Sequence, residues 1–233
     1  MIIYDGVDLE KYFRIAYDDC LAPPVQIESL KVPGRNGELF RSSRLGTRSI
    51  NMRLRLKLRR YQDVAEHRRH LAGLLIKDRP CKLVLGGDPD RYYMAIVEGE
   101  SELDSLWYTG GAEVTFVCHD PLAYGAMRTR PFASIATGKY AGTYKTAPIF
   151  EATPPAGSTY YRVTNSLTGE FVQVTHNFDG KTPVLIDCGL QLAKVGGSPT
   201  KVAFASDYFY LEPGEYSIGA SAPTTMKWQE VWL

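Results

Sequence analysis

The run Ile50-Asn-Met-Arg-Leu-Arg-Leu-Lys-Leu58 sets Ile50, Met52, Leu54, Leu56 and Leu58 at every second position, with polar or charged residues between them. Successive side chains of a strand point to opposite faces, so this alternation requires a strand with one buried and one wet face. The period then changes. From Tyr61 to Lys77 the apolar residues Tyr61, Val64, Leu71 and Leu75 fall on one helical stripe, broken only by Arg68. Gln62, Asp63, Glu66, Arg69 and His70 suit a solvated face. Pro80 forbids continuation of that helix. A strand followed directly by an amphipathic helix implies a sheet with a helix laid against it.

Further strands are expected over Val25–Val32, Lys82–Leu85, Tyr92–Val97 and Ala112–Cys118, with the middle two joined through a Gly86-Gly-Asp-Pro-Asp90 turn. Gly34 and Gly37 bracket a charged turn in Val32-Pro-Gly-Arg-Asn-Gly-Glu-Leu-Phe40, where the backbone calls for positive φ. Asp120-Pro121 ends a strand, because proline lacks the donor a central ladder requires. Beyond residue 133 no helical stripe occurs. Short apolar runs are punctuated by Thr168-Gly-Glu, Asn177-Phe-Asp-Gly, Gly196-Gly-Ser-Pro and Glu212-Pro-Gly-Glu, the pattern of a β-sandwich. The chain of 233 residues therefore reads as mainly β with one helix. An α+β domain is expected over 1–132 and a sandwich over 133–233, with Ala133 to Gly142 as the linker.

Charge is distributed unevenly. The formal net charge is only +1, which argues against a surface made throughout to attract nucleic acid. Between Lys31 and Arg60, however, ten basic residues (Lys31, Arg35, Arg41, Arg44, Arg48, Arg53, Arg55, Lys57, Arg59, Arg60) stand against the single acid Glu38. Three readings fit. The patch can be a solvated strand face that guards an edge, a subunit interface facing Glu98, Glu100, Glu102 and Asp104 of a neighbour, or the lining of a pore that DNA traverses. Aromatic residues that would stack exposed bases are missing from it. The residues nominated for an oligomer interface are Arg35, Glu38, Arg41, Arg44, Arg53 and Arg55.

Signals for chemistry are sparse. His67 and His70 lie three apart without an HExxH arrangement, so a solvated helix face is expected and no metal or other cofactor. His119 and Asp120 are sequence neighbours, which a strand would point to opposite faces. No GxSxG, Walker-type loop or GxGxxG occurs, and no catalytic residue is nominated. Cys20, Cys81, Cys118 and Cys188 are widely spaced without a CxxC pair, the usage of reduced, buried thiols. No apolar run approaches the roughly 20 residues a membrane helix needs, and Met-Ile-Ile-Tyr-Asp-Gly lacks the features of a signal peptide. Synthesis in the cytosol without membrane anchoring is the expectation.

The glycine-arginine loop Val32–Phe40 and the segment Val114-Thr-Phe-Val-Cys-His-Asp-Pro-Leu-Ala-Tyr-Gly125 resemble the distal tail protein family of long-tailed, non-contractile bacteriophages. The likeness extends to Met1–Asp8, Ala141–Pro148, Asn165–Glu170 and Leu211–Ile218, in the same order. It implies an N-terminal split-barrel-like domain that assembles a hexameric ring, and a C-terminal galectin-like β-sandwich outside that ring. It further implies a structural, non-enzymatic hub at the virion tail tip. Such a hub contacts the tail tube protein, the tape-measure protein and a tail-associated hub or fibre protein, while DNA passes the lumen without sequence-specific binding. A carbohydrate-binding module that adheres to host cell-wall sugars is the alternative. Galectins use a His-x-Asn-x-Arg run and a Trp with nearby Glu and Arg. Here His176-Asn177-Phe178-Asp179-Gly180 and Trp228-Gln229-Glu230 both lack the Arg, so the sugar site is incomplete and no carbohydrate-binding residue is assigned. Core packing and subunit contact are the expected duties of Tyr160, Tyr161, Tyr208, Tyr210, Tyr216, Trp228 and Trp232. At this length an inserted carbohydrate-binding module is not expected.

Overall fold

The alternating run does form a strand flanked on both sides, and Ile50, Met52 and Leu54 on its apolar side are buried. In the computed structural model, which describes residues 1–18, 22–57, 70–98 and 110–233, the chain divides into two compact units. These are Met1–Ala123 with Leu233, and Tyr124–Trp232.

The first unit contains β1 (Ile3–Tyr4), β2 (Val7–Asp8), β3 (Phe13–Asp18), β4 (Val25–Lys31), β5 (Glu38–Leu45), β6 (Arg48–Leu56), β7 (Cys81–Leu85), β8 (Asp88–Val97) and β9 (Gly111–Cys118). Antiparallel pairing runs β2-β1-β7-β8-β9-β6-β3. The path turns at β8, which pairs with β7 along most of its length and with β9 through Ile96 and Val97. Ile50, Met52 and Leu54 of β6 are buried with Tyr4, Phe13, Leu83, Val114 and Phe116. Tyr4 and Phe116 meet edge to face at 5.0 Å. Residues 70–75 are helical, and Leu71, Leu74 and Leu75 face the same core. Of the rest of the expected helix, 61–69 lies outside the described residues, and Ile76 and Lys77 lie past its last helical residue. Asp5 takes positive φ and pairs with Lys77 at 2.9 Å, which holds its carboxyl below the usual range.

The second unit comprises β10 (Ala123–Phe132), β11 (Ile135–Tyr140), β12 (Ile149–Ala152), β13 (Tyr160–Asn165), β14 (Phe171–Thr175), β15 (Val184–Asp187), β16 (Leu192–Val195), β17 (Ser198–Thr200), β18 (Gly214–Ala220) and β19 (Thr224–Trp232). Two sheets, β11-β18-β13-β14 and β17-β16-β15-β12-β19-β10, enclose a core of Phe150, Tyr161, Val163, Ile186, Phe209 and Met226 among others. This is a β-sandwich, mainly β as the turn spacing required. The division between units falls at Ala123/Tyr124, ahead of the expected seam at 132/133. Residues 124–132 belong to the sandwich because β10 is bound there: Gln229 donates to the Gly125 carbonyl at 3.0 Å, and Arg128 pairs with Glu230.

The segment Ala133–Gly142 is not a linker. Ile135 to Tyr140 pair in register with Gly219 to Gly214, so its small residues are strand residues. Gly142 is required by packing, since a Cβ there would lie 2.2 Å from the Tyr140 hydroxyl and 2.4 Å from the Val231 carbonyl oxygen. The Tyr140 hydroxyl donates to the Tyr144 carbonyl at 2.7 Å and accepts from the Val231 N–H at 2.9 Å.

Candidate assembly interface

β4 and β5 form a two-stranded sheet of their own. Val25 opposes Leu45 and Ile27 opposes Ser43. The register then shifts at Glu28/Ser29, so that Ser29 opposes Phe40, Leu30 opposes Leu39 and Lys31 opposes Glu38. The shift leaves Arg41 as the additional residue of a β-bulge. Directly opposed residues share a face. Val25, Ile27, Phe40 and Leu45 therefore lie together on one side, and Leu30 and Leu39 with the Glu28–Arg44 pair on the other. Every residue of β4 and β5 except Ser42 and Leu45 is exposed. Ile27 retains 66% and Phe40 68% of its accessible surface. An isolated two-stranded hairpin is marginal in water, and a contiguous apolar patch on a protein surface signals a partner.

The turn is built as its glycines demand. Gly34 and Gly37 both have φ of 80°, and the Arg35 N–H donates to the Val32 carbonyl at 3.2 Å. Polar side chains brace the hairpin from within. Arg44 pairs with Glu28 at 2.9 Å, Ser42 donates to Glu28 at 3.0 Å, Lys31 pairs with Glu38 at 3.5 Å, and the Ser29 hydroxyl donates to Glu38.

The nominated residues thus separate into two groups. Glu38 and Arg44 are engaged within the hairpin, while Arg53, on the wet face of β6, pairs with Glu113 at 2.9 Å and Asp18 at 3.9 Å. Arg35, at the turn, Arg41, at the bulge, and Arg55, which opposes Arg14 in the β3–β6 register, have no ion pair among the described residues. The structure brings Arg35, Glu38, Arg41 and Arg44 onto one hairpin and leaves Arg53 and Arg55 on another sheet. Arg48, counted in the basic stretch, is inside the first unit at 1% exposure. Its Nε donates to the Pro121 carbonyl at 3.1 Å and its guanidinium lies 5.0 Å from the Tyr93 ring centroid. Burial pushes the thiol of Cys118, its register partner, up to about 12 despite the opposing pull of that guanidinium. Of the acids proposed to face the patch, Glu98 is exposed, and residues 100, 102 and 104 lie outside the described residues.

Exposed ion pairs contribute about 0 to 1 kcal/mol each. The apolar side of the hairpin has far more to gain from burial, at roughly 25 cal/mol per Å². Val25, Ile27 and Phe40 are the residues that reasoning from charge missed. The alternation of Val25 and Ile27 with Gln26 and Glu28 was a visible signal. Phe40 was hidden, since the adjacent Leu39 and Phe40 break alternation until the bulge at Arg41 is known.

The other candidates resolve into structural roles. His70 packs against Tyr12 at 5.7 Å between ring centroids, and His119 is exposed while Asp120 accepts from the Leu122 N–H at 3.2 Å. His67 lies outside the described residues. Among the described residues no group of three His, Cys, Asp or Glu side chains is arranged to hold a metal ion. Cys81, Cys118 and Cys188 are free and buried. Asp179, within the galectin echo, accepts from the Lys181 and Thr182 N–H groups, and these bonds lower its pKa to about 2. Trp228 is buried in the core against Tyr216 at 5.8 Å, so its face is not presented to a sugar. Tyr161 is likewise core, whereas Tyr160 and Tyr210 are exposed.

The chain is thus mainly β, in two units, with an exposed apolar face on the β4–β5 hairpin. Comparison with known proteins assigns the class. Residues 7–118 match the phage tail protein RIFT-related domain, and residues 141–232 match the siphovirus-type tail component, C-terminal domain. The chain belongs to the distal tail protein family of siphophages. It is 23% identical to the distal tail protein of Bacillus phage SPP1 over 100% of this chain and 95% of that protein. Its fold is that of the SPP1 Dit crystal structure, described as a paradigm of the hub adsorption apparatus of phages infecting Gram-positive bacteria. The TM-score is 0.82 at 22% identity, over 100% of this chain and 98% of that one.

Proposed function

We propose that this protein is a structural hub of a phage tail tip, in which copies associate through the β4–β5 hairpin into a closed ring of six. The observation that carries the reading is the apolar face of Val25, Ile27 and Phe40 on a sheet that has no other strand partner among the described residues. Cyclic closure lets each copy present one surface and receive its complement, and every hairpin face is then covered. Arg35, Arg41 and Arg55 serve as rim charges toward a neighbour's acids, where they set register and encounter rate more than affinity. In this reading the ring joins the tail tube on one side and a hub or fibre protein on the other. The tape-measure protein abuts its channel, and DNA passes without sequence-specific contact. The protein performs no chemistry. Family membership and the SPP1 likeness support this reading.

The test is electron microscopy of the purified protein together with light scattering. A six-fold annulus is expected for the wild type, and Ile27→Arg with Phe40→Arg should shift the mass toward monomer. A wild-type chain that stays monomeric at high concentration and with its tail partners would reject the ring. Oligomers unchanged by the double substitution would reject the hairpin as the contact.

A further inference from the structure

We infer that the second unit carries a separate contact between copies, in which Phe204 of one chain seats in an apolar groove on the sandwich of another. This contact uses neither the hairpin nor the first unit.

Phe204 is fully exposed, yet it is not on a loose loop. It sits in a turn closed by the Ser206 N–H donating to the Ala203 carbonyl at 2.9 Å. Both arms of that turn are fastened to β14. The Ala203 N–H donates to Gln173 and the Asp207 N–H to Phe171, each at 2.8 Å, while the Ser206 hydroxyl accepts from the Gln173 N–H at 3.1 Å. Val202 bridges Val174 below it. A large aromatic side chain held out on a braced turn has little conformational freedom left to lose on docking, the property of an interface anchor.

The receiving surface lies on the same unit at a different place. Glu151, Leu185 and Lys194 are register neighbours across β12, β15 and β16, on the side turned away from the core. They floor a groove of about 830 Å³, walled by Pro131, Phe132, Pro183 and Pro223. Its lining is chiefly apolar and large enough for a phenyl ring. Charge selects the occupant. Lys194 at the groove and Asp207 beside the prong are opposite charges, each without an ion pair among the described residues. Glu151 is already satisfied by Lys227 at 2.7 Å. A prong and a groove on different parts of one unit make a heterologous contact, which repeats from copy to copy.

The experiment uses the full-length chain. One preparation carries Ala205→Cys, which leaves Phe204 in place, and the other carries Ala133→Cys or Thr153→Cys beside the groove. Mixed under mild oxidation, the two should give a disulfide-linked pair at least about fivefold above either preparation alone. Adding Phe204→Asp to the first chain should return the yield to background. So should Lys194→Glu in the second chain, and Asp207→Lys in the first should then restore it. Background yield with both acceptor positions, or a yield indifferent to Phe204→Asp, would overturn the contact. The hairpin substitution Ile27→Arg should leave the cross-link detectable, which distinguishes failure of this contact from failure of the ring.

Discussion

β5 and β6 follow one another through only Gly46 and Thr47, and both are basic strands with apolar residues, yet their fates are opposite. On the apolar side of β6, Ile50 and Met52 are at 0% exposure, packed in one core with Tyr4, Phe13 and Phe116. The apolar side of β5 and its partner β4 stands in solvent, with Phe40 at 68%. Sequence pattern makes a strand amphipathic, but it does not supply the layer that covers it. For β6 that layer is contributed by the same chain. For the hairpin, the proposed function supplies it from a neighbouring copy, and on that proposal the difference separates a residue that holds the fold from one that builds an assembly.

The contrast can be broken by truncating each strand in turn. Met52→Ala, in the buried layer, should cost the first unit about 2 to 5 kcal/mol, read as a lower denaturant midpoint. Ile27→Ala should move that midpoint by less than about 0.5 kcal/mol in dilute protein, while weakening self-association. A large loss of monomer stability from Ile27→Ala would mean that the hairpin is covered within its own chain.

Two substitutions sharpen the comparison inside the sandwich core, whose apolar layer is supplied in cis. Gly142→Ala forces a Cβ against the Tyr140 hydroxyl and a backbone carbonyl, and an overpacking cost of about 1 to 3 kcal/mol is expected in thermal unfolding. Tyr161→Phe removes a buried hydroxyl that lies 2.7 Å from Thr224 Oγ1. The Thr224 hydroxyl itself donates to the Ala222 carbonyl, so Tyr161 is the donor. A loss of about 1 kcal/mol is expected.

The smallest effect is electrostatic. The folded pKa of Asp179 is depressed to about 2 from 3.8, because the charged carboxylate accepts two turn N–H bonds. Its stabilisation is therefore present above the unfolded value and lost as pH falls through the folded one. Asp179→Ala should flatten the acid dependence of sandwich stability between about pH 4 and 2, with little change in the contrast between the two strands. An acid limb unchanged by the substitution would refute that role for the turn.

Much of the fold was legible because local periodicity is a property of the covalent sequence. The alternation from Ile50 fixed a half-buried strand, Leu71 and Leu75 fixed the inward side of the helical turn, and Gly34 and Gly37 marked positions of positive φ. Ala133–Gly142 misled because small residues serve either a linker or a strand that packs closely. Only the ladder with β18 decides between them. The hairpin was legible as an excess of charge and illegible as an apolar face. Arg53 found Glu113 and Asp18 within its own chain, and Arg48 went inside.

The sequence by itself determined where the backbone extends, coils and turns, and which strands have an apolar side, since these follow from side-chain spacing and backbone sterics within a few residues. Tertiary structure alone decided which apolar sides are covered and which arginines are spoken for. Coverage and pairing depend on what long-range folding brings opposite each strand, and no local pattern specifies the opposing layer.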